Sequence, residues 1–323
     1  MRKSAIECHH VFVAHGDNPI PPTGWGAVEL IIWQTTNRLK LRGISVHVVN
    51  KPKFGAIFEV LKLSLKGQAD VVFCHAEKPV QMLTWIAKLR GFLLIATSHN
   101  PVNDKSWAKA LKRTQKAPYH FVGRADVAPM ILRKNPLAKC AIQINMTETQ
   151  EFRVNPTGNG RAICVGRIQS RKRQNEIALL LQGTGLECDF VGPLMEAVDI
   201  SDVLQNHMFG EWDRDTMHKR LCEYSCLILM SRSERQPLAV VEALAAGIPV
   251  VVSPDAAWNL DHSKPYIFVV DSDSELVPAV AKAIAIRNQM TEEIRRYAVE
   301  TFDYEIMVDK YLAQVDEWIS PRK

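Results

Sequence analysis

The sequence predicts an α/β protein of two doubly wound domains, each a parallel sheet with helices on both faces. Three observations lead there. Short apolar runs, mostly β-branched or aromatic, alternate with longer stretches of helical periodicity. The alternation occurs twice, on either side of an Asn-, Pro- and Gly-rich stretch at 153–161. The 323 residues, 47% of them hydrophobic, suffice for two ordinary cores.

In the first half, 44–49, 71–74 and 92–96 read as strands, with helical patterns at 27–41 and 80–89. Past the break, 162–165, 188–191, 226–230 and 249–252 read as strands separated by helices. Strands that are apolar throughout are covered on both faces, which implies parallel sheets. The domains are therefore expected at 1–155 and 156–323. A last helix over 304–318, carrying Ile306, Tyr311, Leu312 and Val315, is expected to pack back on the N-terminal domain. In such sheets ligands bind beyond the carboxyl ends of the strands, which here means loops facing a cleft between the domains.

Composition narrows the function classes. The seven cysteines, at 8, 74, 140, 164, 188, 222 and 226, show no Cys-x-x-Cys spacing and read as reduced thiols. No run approaches the ~20 apolar residues of a membrane span, so the expectation is a cytoplasmic protein, at most peripheral on the inner membrane face. Charge is unevenly divided. Residues 1–155 hold 22 Lys and Arg against 10 Asp and Glu, and residues 156–323 hold 18 against 25. A front half at +12 predicts an anionic partner.

The most specific segment is 231–249. A buried strand ends before it, its loop carries Glu234, Pro237 suits a first helical turn, and Gly247 with Pro249 stop the helix. Glu242 lies among Val240, Val241, Ala243 and Leu244, and a carboxylate in that setting needs a partner. The ribose hydroxyls of a nucleotide would supply one, while Glu234 could accept hydroxyls of a sugar. Upstream, Gly166, Arg167 and Lys172 follow another strand and open a helix. Gly166 permits close backbone approach, and the two cations can clamp a diphosphate from two sides without a metal.

These segments resemble the retaining GT-B glycosyltransferases of family four (glycosyl transferases group 1), and the likeness extends over most of the chain. The resemblance implies two Rossmann-like domains. It identifies Arg167 and Lys172 with the family's donor-diphosphate pair and Glu234 and Glu242 with its paired glutamates. Leu238, at the start of the intervening helix, joins the donor residues. Gly24 and Gly26 match the glycine-rich loop that opens the first helix. Phe209, Gly210, Glu211 and Trp212 match the loop that lies against the nucleobase, with Trp212 as the candidate contact. His99 matches the acceptor-side histidine, so His99 and Glu234 are the catalytic candidates. Retention of anomeric configuration is implied, with no essential metal and no cofactor beyond the nucleotide-diphosphate sugar, which is a substrate. The chain departs from the pattern at Arg235, Gln236 and Pro237, at Pro254 to Trp258, and at Asn145 and Met146.

On the acceptor side, His75 ends another strand and is a candidate lining residue. After His99, a helical wheel gathers Lys105, Lys109, Lys112, Arg113 and Lys116 in an arc of about 100° opposite Trp107, Ala108, Ala110 and Leu111. That basic stripe is the candidate surface for an anionic acceptor, a phosphorylated glycolipid or glycan of the cell envelope. Two other readings stay open: glycosylation of a modified base in DNA, and a nucleotide-sugar binding protein without turnover. Asp271 and Asp273 read as a turn and helix cap rather than a metal pair.

Overall fold

The computed structural model describes residues 3–22, 26–97, 99, 105–195 and 200–320, the side chains of 105 and 106 excepted. The chain forms two compact units, Met1–Ile144 with Tyr304–Lys323, and Asn145–Asp303.

The first unit runs β1 (His10–Ala14), α1 (Ala27–Leu41), β2 (Val46–Asn50), α2 (Lys53–Leu65), β3 (Val71–Cys74), α3 (Val80–Arg90), β4 (Leu93–Ala96), α4 (Lys105–Thr114), β5 (Tyr119–Val122), α5 (Val127–Leu132) and β6 (Lys139–Ile142). The sheet order is β2-β1-β3-β4-β5-β6, and all pairs are parallel. Alternate residues of β1 point to opposite faces. Val11 and Val13 meet Ala56, Val60 and Leu63 of α2 and Val80 and Leu83 of α3. Phe12 and Ala14 meet Ile32 and Leu39 of α1.

The second unit runs β7 (Ala162–Val165), α6 (Gln174–Leu181), β8 (Cys188–Val191), α7 (Asp202–Gln205), α8 (Arg214–Arg220), β9 (Cys226–Leu229), α9 (Leu238–Ala245), β10 (Val250–Val252), β11 (Ile267–Val269) and α10 (Asp273–Phe302). Its sheet, β11-β10-β9-β7-β8, is again parallel. Strands β7 to β10 are buried at every position, which accounts for the unbroken apolar sequences of β7, β9 and β10; in β8 the buried Asp189 is paired with Arg161 and accepts from the Tyr224 hydroxyl at 2.9 Å. Arg287 of α10 is wholly buried and donates to the carbonyls of Asn155, Cys222 and Tyr224. Desolvation lowers its pKa to about 10.

The chain passes between units at Ile144 and Asn145, ahead of the 153–161 stretch. Backbone hydrogen bonds tie the intervening segment to the second unit: Thr147 N donates to Phe302 O and Arg153 N to His218 O, both at 2.9 Å. Helix α11 (Tyr304–Ile319) belongs to the first unit, where Val308, Tyr311, Val315 and Trp318 join the Phe12 side of the core. The ring of His10 donates from Nε2 to the Ala5 carbonyl, so its Nδ1 accepts from the Tyr311 hydroxyl at 2.8 Å. All seven cysteines are free thiols.

Candidate functional site

In an open parallel sheet the ligand crevice opens where the strand order reverses, beyond the carboxyl ends. In the second unit that point lies between β7 and β9. Gly166 leaves β7 with φ 150°, and a Cβ there would meet the Lys172 side chain at 3.0–3.2 Å. At Gly192, after β8, with φ 145°, a Cβ would lie 2.2 Å from the Gly166 carbonyl oxygen. Two glycines thus let neighbouring strand ends touch and let the lysine fold back over them.

Lys172 Nζ meets Glu234 Oε1 at 3.1 Å, and Arg171 Nη1 meets the same oxygen at 3.0 Å. Arg171 also donates to the Ser233 carbonyl. The Lys172 and Glu234 side chains are each only 12% exposed, so the pair is shielded from solvent. Burial alone would raise the Glu234 pKa. Lys172 and Arg171 outweigh it and hold the carboxyl below the ordinary glutamate range. Arg167, half-buried, stands at the same strand end, and its carbonyl accepts from Gln174 Nε2 at 2.9 Å.

Glu242, on the second turn of α9, is 5% exposed and paired with Arg214 Nη1. Arg214 Nη2 lies 2.9 Å from His218 Nε2, and the guanidinium stands over Phe152. Burial, then the Arg214 charge, lowers the His218 pKa. Leu238 is the first residue of α9 and half-buried. Trp212 is buried beneath the Arg220 guanidinium, 4.9 Å from its ring centroid, beside Tyr224, while Phe209 of the same loop is 51% exposed. Gln236 holds the glutamate loop in place: its Oε1 accepts from Asn145 N at 2.6 Å, and its carbonyl from Asn145 Nδ2 at 2.7 Å. Two segments that depart from the pattern of the resemblance, 235–237 and 145–146, are thus in contact through Gln236 and Asn145.

In the first unit the order reverses between β1 and β3. His75, just past β3, is 2% exposed, and its Nδ1 lies 2.9 Å from His99 Nε2 with the rings stacked at 6°. His15, just past β1, meets buried Glu77 at 3.6 Å. The Glu77 carboxylate raises the His15 pKa against the opposing effect of burial. Buried Glu29 of α1 accepts from Asn18 Nδ2 at 3.2 Å. Gly26 is the N-cap of α1, and a Cβ there would approach Glu29 Oε2 to 2.8 Å. Gly24 lies outside the described residues, as does the side chain of Lys105.

Helix α4 buries Trp107 and Ala110, exposes Lys109 and Lys112, and leaves Arg113 half-buried; Lys116, just beyond it, is exposed. Ala108 is exposed too, because its wheel position borders the lysines rather than Trp107. Asp273 begins α10 and takes both oxygens to Arg173 Nη2 at 2.8 Å.

Sequence reasoning brought forward Lys172 with Glu234 and His75 with His99. It passed over Arg171 and Arg214 as partners of the two glutamates. It also did not pair His15 with Glu77, although His15 directly follows β1 and Glu77 lies three residues past β3, which was the available signal.

Residues 146–300 match the model of the family glycosyl transferases group 1, a span confined to the second unit. No curated protein sequence matches the chain at a significant level. Solved structures match over nearly its whole length. Sucrose-phosphate synthase from Thermosynechococcus elongatus is 12% identical with a TM-score of 0.74, over 96% of this chain and 98% of that one. Anabaena HepE in complex with UDP is 13% identical with a TM-score of 0.73, over 95% and 99%. The lipopolysaccharide outer core galactosyltransferase WaaB is 14% identical with a TM-score of 0.70, over 96% and 99%. The fold is thus of the GT-B class, two Rossmann-like units, and the second unit matches the glycosyl transferases of group 1 over residues 146–300.

Proposed function

We propose that the protein is a retaining, metal-independent glycosyltransferase. It moves a sugar from a nucleotide-diphosphate sugar bound by the second unit to a hydroxyl of an anionic acceptor bound by the first. The observation that carries this reading is the shielded Lys172–Glu234 pair at the β7/β9 reversal, with Arg171 on the same carboxylate oxygen.

Each residue then has a chemical task. Lys172 and Arg167 take up the charge that develops on the departing diphosphate, a role for fixed cations in a site of low dielectric. Gly166 lets the lysine lie against the strand end. Glu234, kept ionised by its cations, accepts hydrogen bonds from hydroxyls of the sugar. Glu242 has lone pairs beyond those used by Arg214 and can accept from ribose. A diphosphate oxygen on the leaving side takes the acceptor proton as the new bond forms. His99, backed by His75, offers a ring nitrogen at the reacting centre.

For the donor, a uridine diphosphate sugar comes first, because HepE has been solved with UDP and with UDP-glucose. For the acceptor, a cell-envelope glycan or glycolipid comes first. WaaB is a lipopolysaccharide galactosyltransferase, and the exposed lysines on and beside α4 suit a phosphorylated substrate.

The test is a thermal-shift panel of nucleoside diphosphates and their sugars, followed by nucleotide release in the presence of candidate acceptors. A true donor at 100 times its Kd adds about 2.7 kcal/mol of stability. No shift with any of them would sink the proposal. A shift without nucleotide release from any acceptor would favour a binding protein.

A further inference from the structure

Helices α2 and α3 lie side by side on one face of the first sheet, where Arg90 of α3 donates to Ser64 of α2 at 3.2 Å. Their inner sides fill the core with Ala56, Val60, Leu63, Val80, Leu83 and Ala87. Their outer sides are apolar as well. Phe54, Phe58 and Leu65 are 64–75% exposed, and Met82, Trp85 and Leu89 are 50–82% exposed. At ~100° per residue the first three fall within an arc of about 40° and the second three within about 60°. Two ridges of large apolar side chains thus stand largely in water.

The chemistry around the ridges selects the occupant. Lys53 stands over the Phe54 ring at 5.0 Å and Lys88 over Trp85 at 5.5 Å. The one acid within the two helices, Glu59, is held by Lys51 at 2.9 Å and Lys62 at 3.7 Å. Gln81 of α3 donates to the Lys112 carbonyl at 3.2 Å, so the basic stripe of α4 continues the same surface. Aromatic and aliphatic ridges set among lysines match a bilayer surface with anionic headgroups, where stems lie in the acyl boundary and ammonium groups reach the phosphates. A second copy fits less well, because a two-fold contact would face each lysine row with its own copy. Nucleic acid fits less well too, since Leu65, Met82 and Leu89 offer neither a stacking plane nor a hydrogen bond. No helix among the described residues is long and apolar enough to cross a membrane.

We propose that the outer face of α2 and α3 docks the first unit on an anionic lipid surface, with Phe54, Phe58, Trp85 and Leu89 entering the headgroup boundary. This inference does not rest on sugar transfer, and it concerns a different surface from the strand ends.

The test is sedimentation of the full chain with vesicles of phosphatidylcholine containing phosphatidylglycerol, and of phosphatidylcholine alone. The expected result is binding to the anionic vesicles only, weakened by salt. Trp85 fluorescence should be quenched by lipids brominated in the acyl chain, and that quenching should be lost in Trp85→Phe. The variant Phe54→Ser, Phe58→Ser, Leu89→Ser should bind at least about tenfold more weakly. Each of Lys53→Ser and Lys88→Ser should cost about fivefold. The triple variant should keep its circular dichroism and any thermal shift with UDP, which separates this proposal from the donor reading. Absence of binding to anionic vesicles, undiminished binding by the triple variant, or a dimer that the triple variant dissolves would each overturn it. So would binding to duplex DNA without binding to vesicles.

Discussion

The two units share a topology and differ at the place where it reverses. In the second, the strand ends carry fixed charge: Lys172 and Arg171 on Glu234, and Arg214 on Glu242 one helix further in. In the first, they carry imidazoles, His15 beside Glu77 and His75 stacked on His99. Fixed cations suit a ligand that is anionic throughout, such as a diphosphate. Imidazoles change charge near neutral pH and suit a hydroxyl that must be oriented or relieved of a proton. The fold sets where a site can form, and the residues just past each strand decide what chemistry it does.

The largest effect should come from the charged end. Lys172→Ala should lower kcat by about 10²- to 10³-fold, the loss found when one preorganised donor to a developing charge is removed. Steady-state kinetics with the donor found in the thermal-shift panel would measure it, and an unchanged kcat would dissolve the contrast between the units. His99→Ala should cost less, about tenfold in kcat/KM, the equivalent of one neutral hydrogen bond of ~1–1.5 kcal/mol.

Two titrations sharpen the contrast further, with opposite signs. The folded pKa of Glu234 lies below its ordinary value, so its stabilisation is present above the unfolded pKa and is lost as pH falls through the folded one. Urea midpoints should therefore drop for the wild type in acid, and Glu234→Gln should drop less. The folded pKa of His15 lies above its ordinary value, so its stabilisation is full below the unfolded pKa and fades as pH rises through the folded one. In Glu77→Gln the His15 ring resonances should titrate at lower pH than in the wild type. An unmoved titration would mean that Glu77 does not set the His15 charge.

Much of this was legible in the sequence, for physical reasons that can be named. Helix α1 falls at the residues read for it because its apolar positions recur at helical spacing, and strands β3 and β7 do because an unbroken apolar run in a parallel sheet has little else to be. Glu234 and Lys172 could be found because each lies within a few residues of a strand end. Their contact is then a property of the topology. Arg214 could not be tied to Glu242, since the two are 28 residues apart and on different helices. The outward aromatics of α2 were hidden for another reason. That helix is apolar on two sides, and periodicity does not say which side meets the sheet.

Helix α11 gives the chain an order of assembly. The second unit is one unbroken segment, Asn145–Asp303, whereas the first needs both ends of the chain. During synthesis the second unit is complete while the first still lacks Tyr311, Val315 and Trp318. The exposed flank of Phe12, Ile32 and Leu39 is then the surface a chaperone would meet.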